Sequence, residues 1–177
     1  SAKDIALYII GQIGADGGDY KAVEFTGEVI DNMSISDRMV LTNMAAEMGA
    51  KNGYILPDEK TLNFLKDKAQ SEFTSIYSDE DANYIETLTF DISNISPSVA
   101  KPPTVDNYVA IQDVEGLEID QALIGTCTNG RLEDLKEAAK ILDGKKVKIR
   151  TLIIPASWNV YKEAMSEGLL SIFIDSG

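Results

Sequence analysis

The sequence predicts an α/β protein in which layers of helices cover largely parallel sheets. Two observations support this fold class. A strand, turn, helix, strand and helix follow one another at about residues 21–69, and again at about residues 120–169. The second stretch contains the apolar run Leu152-Ile153-Ile154, which is typical of a strand buried on both faces of a parallel sheet. Strands that alternate with helices form such sheets because each helix carries the chain back across the sheet.

The composition is that of a soluble globular protein and argues against several functions. Hydrophobic residues make up 44% of the 177 residues and charged residues 25%. The net charge of −13 argues against binding to nucleic acid or to an anionic membrane, both of which need a basic surface. Without histidine, the chain alone cannot form a His-based catalytic triad or a His-ligated zinc site. A single cysteine is consistent with a reducing compartment, so we expect a cytoplasmic protein.

The first predicted domain, residues 1–95, opens with a helix over residues 2–13 and a strand over residues 20–26. The helix presents a broadly apolar face and ends at Gly14. The strand has a mixed, partly buried pattern, and its Glu24 has no assigned role.

The next helix carries two candidate functional residues. Ser36 is its predicted N-cap and Gly49 its end. Asn43 and Glu47 are four residues apart, so they project from one face of the helix. On the residues alone, a solvated helix edge is the favoured interpretation. The apolar stripe beside them consists of Leu41, Met44, Ala45 and Met48.

The remainder of this domain is predicted as a short strand over residues 52–56, a helix over 61–69, a polar connection over 70–84 and a strand over 84–92. The last of these rests on the alternation of apolar and polar residues. Prolines at positions 97, 102 and 103 make residues 96–116 a predicted linker to a second domain, residues 117–177.

Cys127 is the candidate site residue of the second domain. It stands where the apolar run Ala122-Leu123-Ile124 gives way to a helical pattern, so we expect a tight strand-to-helix turn. A cysteine near a helix N-terminus favours the thiolate, which attacks electrophiles or binds metal. A small buried residue is the alternative. A further strand over residues 145–154 and a helix opened by Pro155-Ala156-Ser157 complete the prediction.

Two longer motifs resemble a known family. They are I-G-T-C-T-N-G-R-L-E-D-L around Cys127 and S-I-S-D-R-M-V-L-T-N-M-A-A-E-M-G-A around Asn43 and Glu47. Both are similar to the aconitase superfamily, and most of all to the large subunits of 3-isopropylmalate dehydratase and homoaconitase. The resemblance implies an aconitase-like fold and makes Cys127 one of three thiolate ligands of a [4Fe-4S] cluster. It also places Asn43 and Glu47 at the active site.

The other two ligands of that family form a C-x-x-C pair that this sequence lacks. We therefore expect an internal fragment that is inactive and holds no cluster by itself. Because the missing cysteines would face Cys127, its thiol should lie at the surface.

The resemblance also implies a function for the complete protein. That function is a hydro-lyase that isomerises 2- and 3-isopropylmalate in leucine biosynthesis by dehydration and rehydration. Its partners would be a small branched carboxylic acid substrate and a small, swivel-domain subunit. Three alternatives remain: a homoaconitate hydratase, a non-catalytic α/β interaction or ligand-binding module, and a thiol enzyme, which would lack a histidine base. Arg131 carries a charge suited to a substrate carboxylate but has no assigned role.

Overall fold

The computed structural model describes all 177 residues, which divide into two compact units, Ser1–Glu115 and Gly116–Gly177. Each unit contains one two-stranded parallel sheet whose strands are connected through helices. A third, antiparallel pair lies within the first unit. The predicted α/β class with mostly parallel sheets is therefore confirmed. No helix has the length and apolar character needed to cross a membrane.

The first unit begins with helix α1 and contains the parallel pair β1 and β2. Strands β1 and β2 pair from Ala22 opposite Asn52 to Glu24 opposite Tyr54. Two 3₁₀ turns, Ala45–Met48 and Ile111–Val114, follow α3 and β4. The elements are α1 (Ala2–Ile13), β1 (Ala22–Glu24), α2 (Glu28–Asn32), α3 (Ile35–Met44), β2 (Asn52–Tyr54), α4 (Glu59–Leu65), β3 (Ser98–Ala100) and β4 (Tyr108–Ala110).

The apolar core of this unit lies where α1 packs against α3. Ile10 of α1 and Leu41 of α3 are fully buried, and so is Met48 of the following 3₁₀ turn. These are residues of the predicted apolar stripe and of the first helix. Burying each of such side chains stabilises the fold by about 1.5–3 kcal/mol.

Arg38, a charged residue, is also buried in this core. Its Nε donates to the carbonyl of Ile30 at 3.1 Å, and its Nη2 donates to the carbonyl of Asp31 at 3.2 Å. The same Nη2 binds Asp58 Oδ2 at 2.6 Å. The Arg38 guanidinium beside Asp58 holds the pKa of that carboxyl well below its usual range. Arg38 therefore connects α3 to the end of α2 and to the N-cap of α4.

Helix α3 differs from its prediction at both ends. Its N-cap is Ser34, not Ser36, because the Ser34 hydroxyl accepts the Asp37 N–H. At the other end the α-helix stops at Met44, and the chain continues as a 3₁₀ turn to Met48 before Gly49 adopts a left-handed conformation.

Two other segments are at variance with the sequence-based expectations. The strand predicted over residues 84–92 does not form, since no neighbouring strand supplies hydrogen-bond partners for its backbone. The segment 96–116, predicted as a linker, carries β3 and β4, which pair with each other and pack against α1. The division between the two units falls at the end of this segment, between Glu115 and Gly116.

The second unit has one parallel pair, β5 and β6, and four helices. Helix α6 packs on α7 and α8 through Leu135, Ala139, Ala164 and Leu169. The predicted strand over 145–154 is shorter than expected, because the Val147 N–H bonds to the Ser176 carbonyl instead of to a strand. The elements are β5 (Gln121–Gly125), α5 (Thr126–Asn129), α6 (Leu132–Leu142), β6 (Arg150–Ile154), α7 (Trp158–Ser166) and α8 (Leu169–Ser176).

Candidate functional site

Cys127 lies in a tight turn between β5 and α6, which we call the Cys127 turn (residues 125–131). Strand β5 ends at Gly125, the single helical turn α5 carries Cys127, and α6 begins at Leu132. The predicted strand-to-helix turn is thus confirmed. It stands at the carboxyl end of the β5–β6 sheet, where sites in parallel sheets commonly gather.

The backbone of this turn is pressed against the end of β6. Gly125 has a φ of +123°, and a Cβ added to it would lie 2.0 Å from the Ile154 carbonyl oxygen. A Cβ on Gly130 would lie 2.6 Å from that same oxygen. Only glycine fits at these two positions. Between them Thr126 has a φ of +70°, which is a strained conformation for a β-branched residue.

Asp134 fixes the turn to the first turn of α6. Its Oδ1 accepts the Asn129 side-chain amide at 3.1 Å, and its Oδ2 accepts the Arg131 backbone N–H at 3.0 Å. From the other side, the Ala156 N–H donates to the Gly130 carbonyl at 2.7 Å. All these partners belong to the second unit, so its own residues hold the turn in shape.

The Cys127 thiol is exposed, as the sequence predicts. Its Sγ lies 4.0 Å from the hydroxyl of Thr128. The chain contains no group of three or more histidine, cysteine or acidic residues that could hold a metal ion. The turn therefore presents a single exposed thiol on a backbone that is held by contacts of its own unit.

Asn43 and Glu47 are both exposed on the first unit. The change from α-helix to 3₁₀ turn falls between them, above the buried side chains of Leu41 and Met48. The Met48 carbonyl accepts the Gly18 N–H at 2.7 Å, just before β1 begins. Glu47 therefore lies at the amino end of the β1–β2 sheet, whereas Cys127 lies at the carboxyl end of its own sheet.

Sequence reasoning gave no role to Glu24, which forms a cluster at the carboxyl end of the β1–β2 sheet. Its Oε2 accepts the hydroxyls of Tyr54 at 2.9 Å, Ser78 at 2.8 Å and Tyr84 at 2.6 Å. Burial of the Glu24 carboxyl opposes ionisation, but the three donors outweigh it and lower its pKa. No local pattern could have indicated this cluster, since its partners are 30 to 60 residues away.

Two buried polar atoms lie in the Cys127 turn. The Oδ1 of Asn129 and the Nε of Arg131 have no hydrogen-bond partner. Unpaired buried polar atoms are costly, so these two groups lower the stability of the turn unless water or another group binds them.

The sequence matches a known protein family over its whole length. Residues 1–116 and 110–177 match the aconitase family (aconitate hydratase). The chain belongs to this family. The resemblance seen in the sequence motifs is thereby confirmed, and with it the aconitase-like α/β fold.

Three curated relatives show how much of a family member the chain represents. It is 51% identical over 176 residues to a probable methanogen homoaconitase large subunit of Methanosarcina mazei, covering 99% of the chain and 45% of the relative. It is 51% identical over 178 residues to a probable 3-isopropylmalate dehydratase large subunit of Methanothermobacter thermautotrophicus, covering 99% and 42%. It is 49% identical over 179 residues to a 3-isopropylmalate dehydratase large subunit of Halothermothrix orenii, covering 100% and 43%. The chain thus spans less than half the length of these relatives.

Proposed function

We propose that this chain is part of the large subunit of a cytoplasmic hydro-lyase that isomerises 2- and 3-isopropylmalate in leucine biosynthesis. The supporting observation is the Cys127 turn, an exposed thiol on a strained backbone in a member of the aconitase family. Several relatives are 3-isopropylmalate dehydratase large subunits. The term "large subunit" supports a small subunit as the partner.

In the complete enzyme Cys127 would be one ligand of a [4Fe-4S] cluster. The cluster, when bound, supplies a Lewis acid that polarises a substrate oxygen. The contribution of this chain is a thiolate whose position is set in advance. Gly125, Gly130 and Asp134 fix the turn without the cluster, so little reorganisation is needed for ligation.

Asn43 and Glu47 would bind and orient the substrate in this proposal. The Asn43 amide can donate to a carboxylate or hydroxyl oxygen, and the Glu47 carboxylate can accept a proton or a hydroxyl hydrogen bond. The packing of α3 on α1 and the ties of Arg38 hold the helix that carries them.

A homoaconitate hydratase is the second candidate, favoured by the 51% identity to the probable homoaconitase large subunit. The two differ in substrate and would use the same segment. Turnover of isopropylmalate and of homoaconitate by the complete two-subunit enzyme separates them.

The test of the cluster site is Cys127→Ser in the complete large subunit, combined with its small subunit. The expected result is loss of bound iron, of iron–sulfur absorption and of turnover, because a serine hydroxyl is a poor replacement for a thiolate ligand. Glu133→Gln, an exposed change six residues along the chain, is the matched control and should keep all three. Unchanged iron content and turnover in Cys127→Ser would instead support a non-catalytic module.

The isolated chain provides a complementary measurement. With one cysteine it cannot supply the thiolates that a cubane needs, so anaerobic reconstitution with iron and sulfide should leave no stable cluster absorption. A stoichiometric cluster on the monomeric chain would contradict the proposed ligand set.

A further inference from the structure

The segment from Tyr84 to Ile92 has the sequence of a strand but no strand partner. Its residues Y-I-E-T-L-T-F-D-I are rich in β-branched and aromatic side chains, which favour strands. In the structure, the backbone groups of residues 84–91 make no backbone–backbone hydrogen bond. All side chains from Tyr84 to Thr89 are exposed, and Ile85 is 90% exposed. The segment therefore presents unused strand hydrogen-bonding groups to its surroundings.

Alternate side chains attach this segment to the first unit. The Tyr84 hydroxyl donates to Glu24 at 2.6 Å, and Glu86 lies 3.5 Å from the ammonium of Lys21. Further along, the Phe90 ring packs edge to face on Tyr8, with ring centroids 6.4 Å apart. Contacts at positions 84, 86 and 90 follow the two-residue period of a β-strand. The segment is thus attached to the first unit through its side chains, while its backbone groups stay unpaired.

A segment with a strand-forming sequence and unpaired backbone groups is a template for the addition of another strand. We propose that residues 84–92 become a β-strand in the complete large subunit by pairing with a strand from the part of that subunit outside these 177 residues. More than half of each curated relative lies outside the matched region, so the remainder is large enough to supply such a strand. This inference does not depend on the cluster or on the substrate.

The incoming strand should have a defined chemistry. It would lie beside Ile85, Thr87 and Thr89, which share the face opposite the anchored side chains. An apolar or β-branched residue next to Ile85 would cover its exposed side chain, and threonines pair well across strands. Asp91 at the end of that face disfavours an acidic residue opposite it.

Amide hydrogen exchange of the complete large subunit tests this proposal. Peptides covering residues 84–92 should exchange at least about 10-fold more slowly than peptides covering residues 70–78, which also lack helix and strand in this structure. The isolated chain should show fast exchange in both segments. Equal, fast exchange of the two segments in the complete subunit would overturn the proposal. Slow exchange that requires the small subunit, or that rises with protein concentration, would assign the pairing to another chain and overturn it as well.

A pair of proline variants of the complete subunit provides a second test. Thr87→Pro/Leu88→Pro removes neighbouring N–H donors on both edges of the segment and should abolish the slow exchange of residues 84–92. Ser71→Pro/Glu72→Pro makes the same change in the control segment and should leave that exchange unaltered. If the first variant keeps the protection of the wild-type subunit, the segment does not pair as a strand.

Discussion

The two units hold their candidate residues at opposite ends of their own sheets and by contacts of different kinds. In the second unit, Cys127 lies two residues beyond the end of β5, and its turn is held by Asp134 and by contacts with the end of β6. In the first unit, Glu47 lies at the amino end of the β1–β2 sheet. The helix before it is tied by Arg38 to Asp58, 20 residues away. Both units connect two parallel strands through helices, yet the turn of the second is held by Asp134 and by close backbone contact with β6, and the helix of the first by a buried cation.

The two candidate sites therefore depend on different contacts for their shape. The Cys127 turn needs the end of β6 beside it, because the Ala156 N–H donates to the Gly130 carbonyl and Ile154 lies against Gly125. A helix fixed by a buried cation forms only when α2, α3 and α4 have come together. The first unit should therefore be more sensitive to loss of one polar side chain, and the second to loss of a glycine.

Arg38→Ala is expected to have the largest effect on stability. It removes the donors to two carbonyls and the packing of a buried side chain, and it leaves the 39% exposed Asp58 without its cation, which together should lower the free energy of unfolding by about 4 kcal/mol. Arg150→Ala, an exposed arginine of the second unit, is the control and should change it by less than about 0.5 kcal/mol. Denaturant titration followed by far-UV circular dichroism measures both. Equal effects would mean that the long-range ties of the first unit contribute little.

Gly125→Ala probes the second unit in the same way. A methyl group there would meet the Ile154 carbonyl at a φ that disfavours alanine, so we expect a loss of about 3 kcal/mol. Gly144→Ala is the matched control, because Gly144 also has a positive φ, +68°, but open space around its added Cβ. It should cost only about 1 kcal/mol. Similar losses in the two variants would show that the close approach to β6 does not constrain the turn.

A contrast between local sequence signals and long-range contacts explains what the sequence could predict. The Cys127 turn, α6 and the exposed thiol follow from residues close together in sequence, and the structure confirms them. The buried role of Arg38 and the cluster on Glu24 depend on partners that no local pattern identifies. The prediction of a strand over residues 84–92 was wrong, because strand formation needs a pairing partner as well as a suitable sequence.

Glu47→Gln in the complete enzyme tests whether the amino end of the first sheet takes part in the site. If Glu47 accepts a proton or orients the substrate, turnover should fall by about 100-fold. Stability should change by less than about 0.5 kcal/mol, since the side chain is exposed. Glu28→Gln, another exposed glutamate of this unit, should leave turnover unaltered. Normal turnover in both variants would support the alternative interpretation, in which Glu47 belongs to a solvated helix edge without a role in the reaction.

The smallest expected effect concerns Glu24, whose distant hydroxyl partners make it a second test of long-range contacts. Its pKa is lowered in the folded chain, because the donors from Tyr84, Ser78 and Tyr54 outweigh the opposing effect of burial. The ionised carboxylate therefore stabilises the fold above its unfolded pKa of roughly 4.3, and this contribution is lost as the pH falls through the folded pKa.

Glu24→Gln should lower the free energy of unfolding by about 1 kcal/mol at neutral pH, with the difference from wild type shrinking below about pH 4. Denaturant titrations across this range measure that difference, with Glu72→Gln as an exposed control that should show none. A difference that stays constant from neutral to acidic pH would mean that the charge of Glu24 does not hold the three hydroxyls.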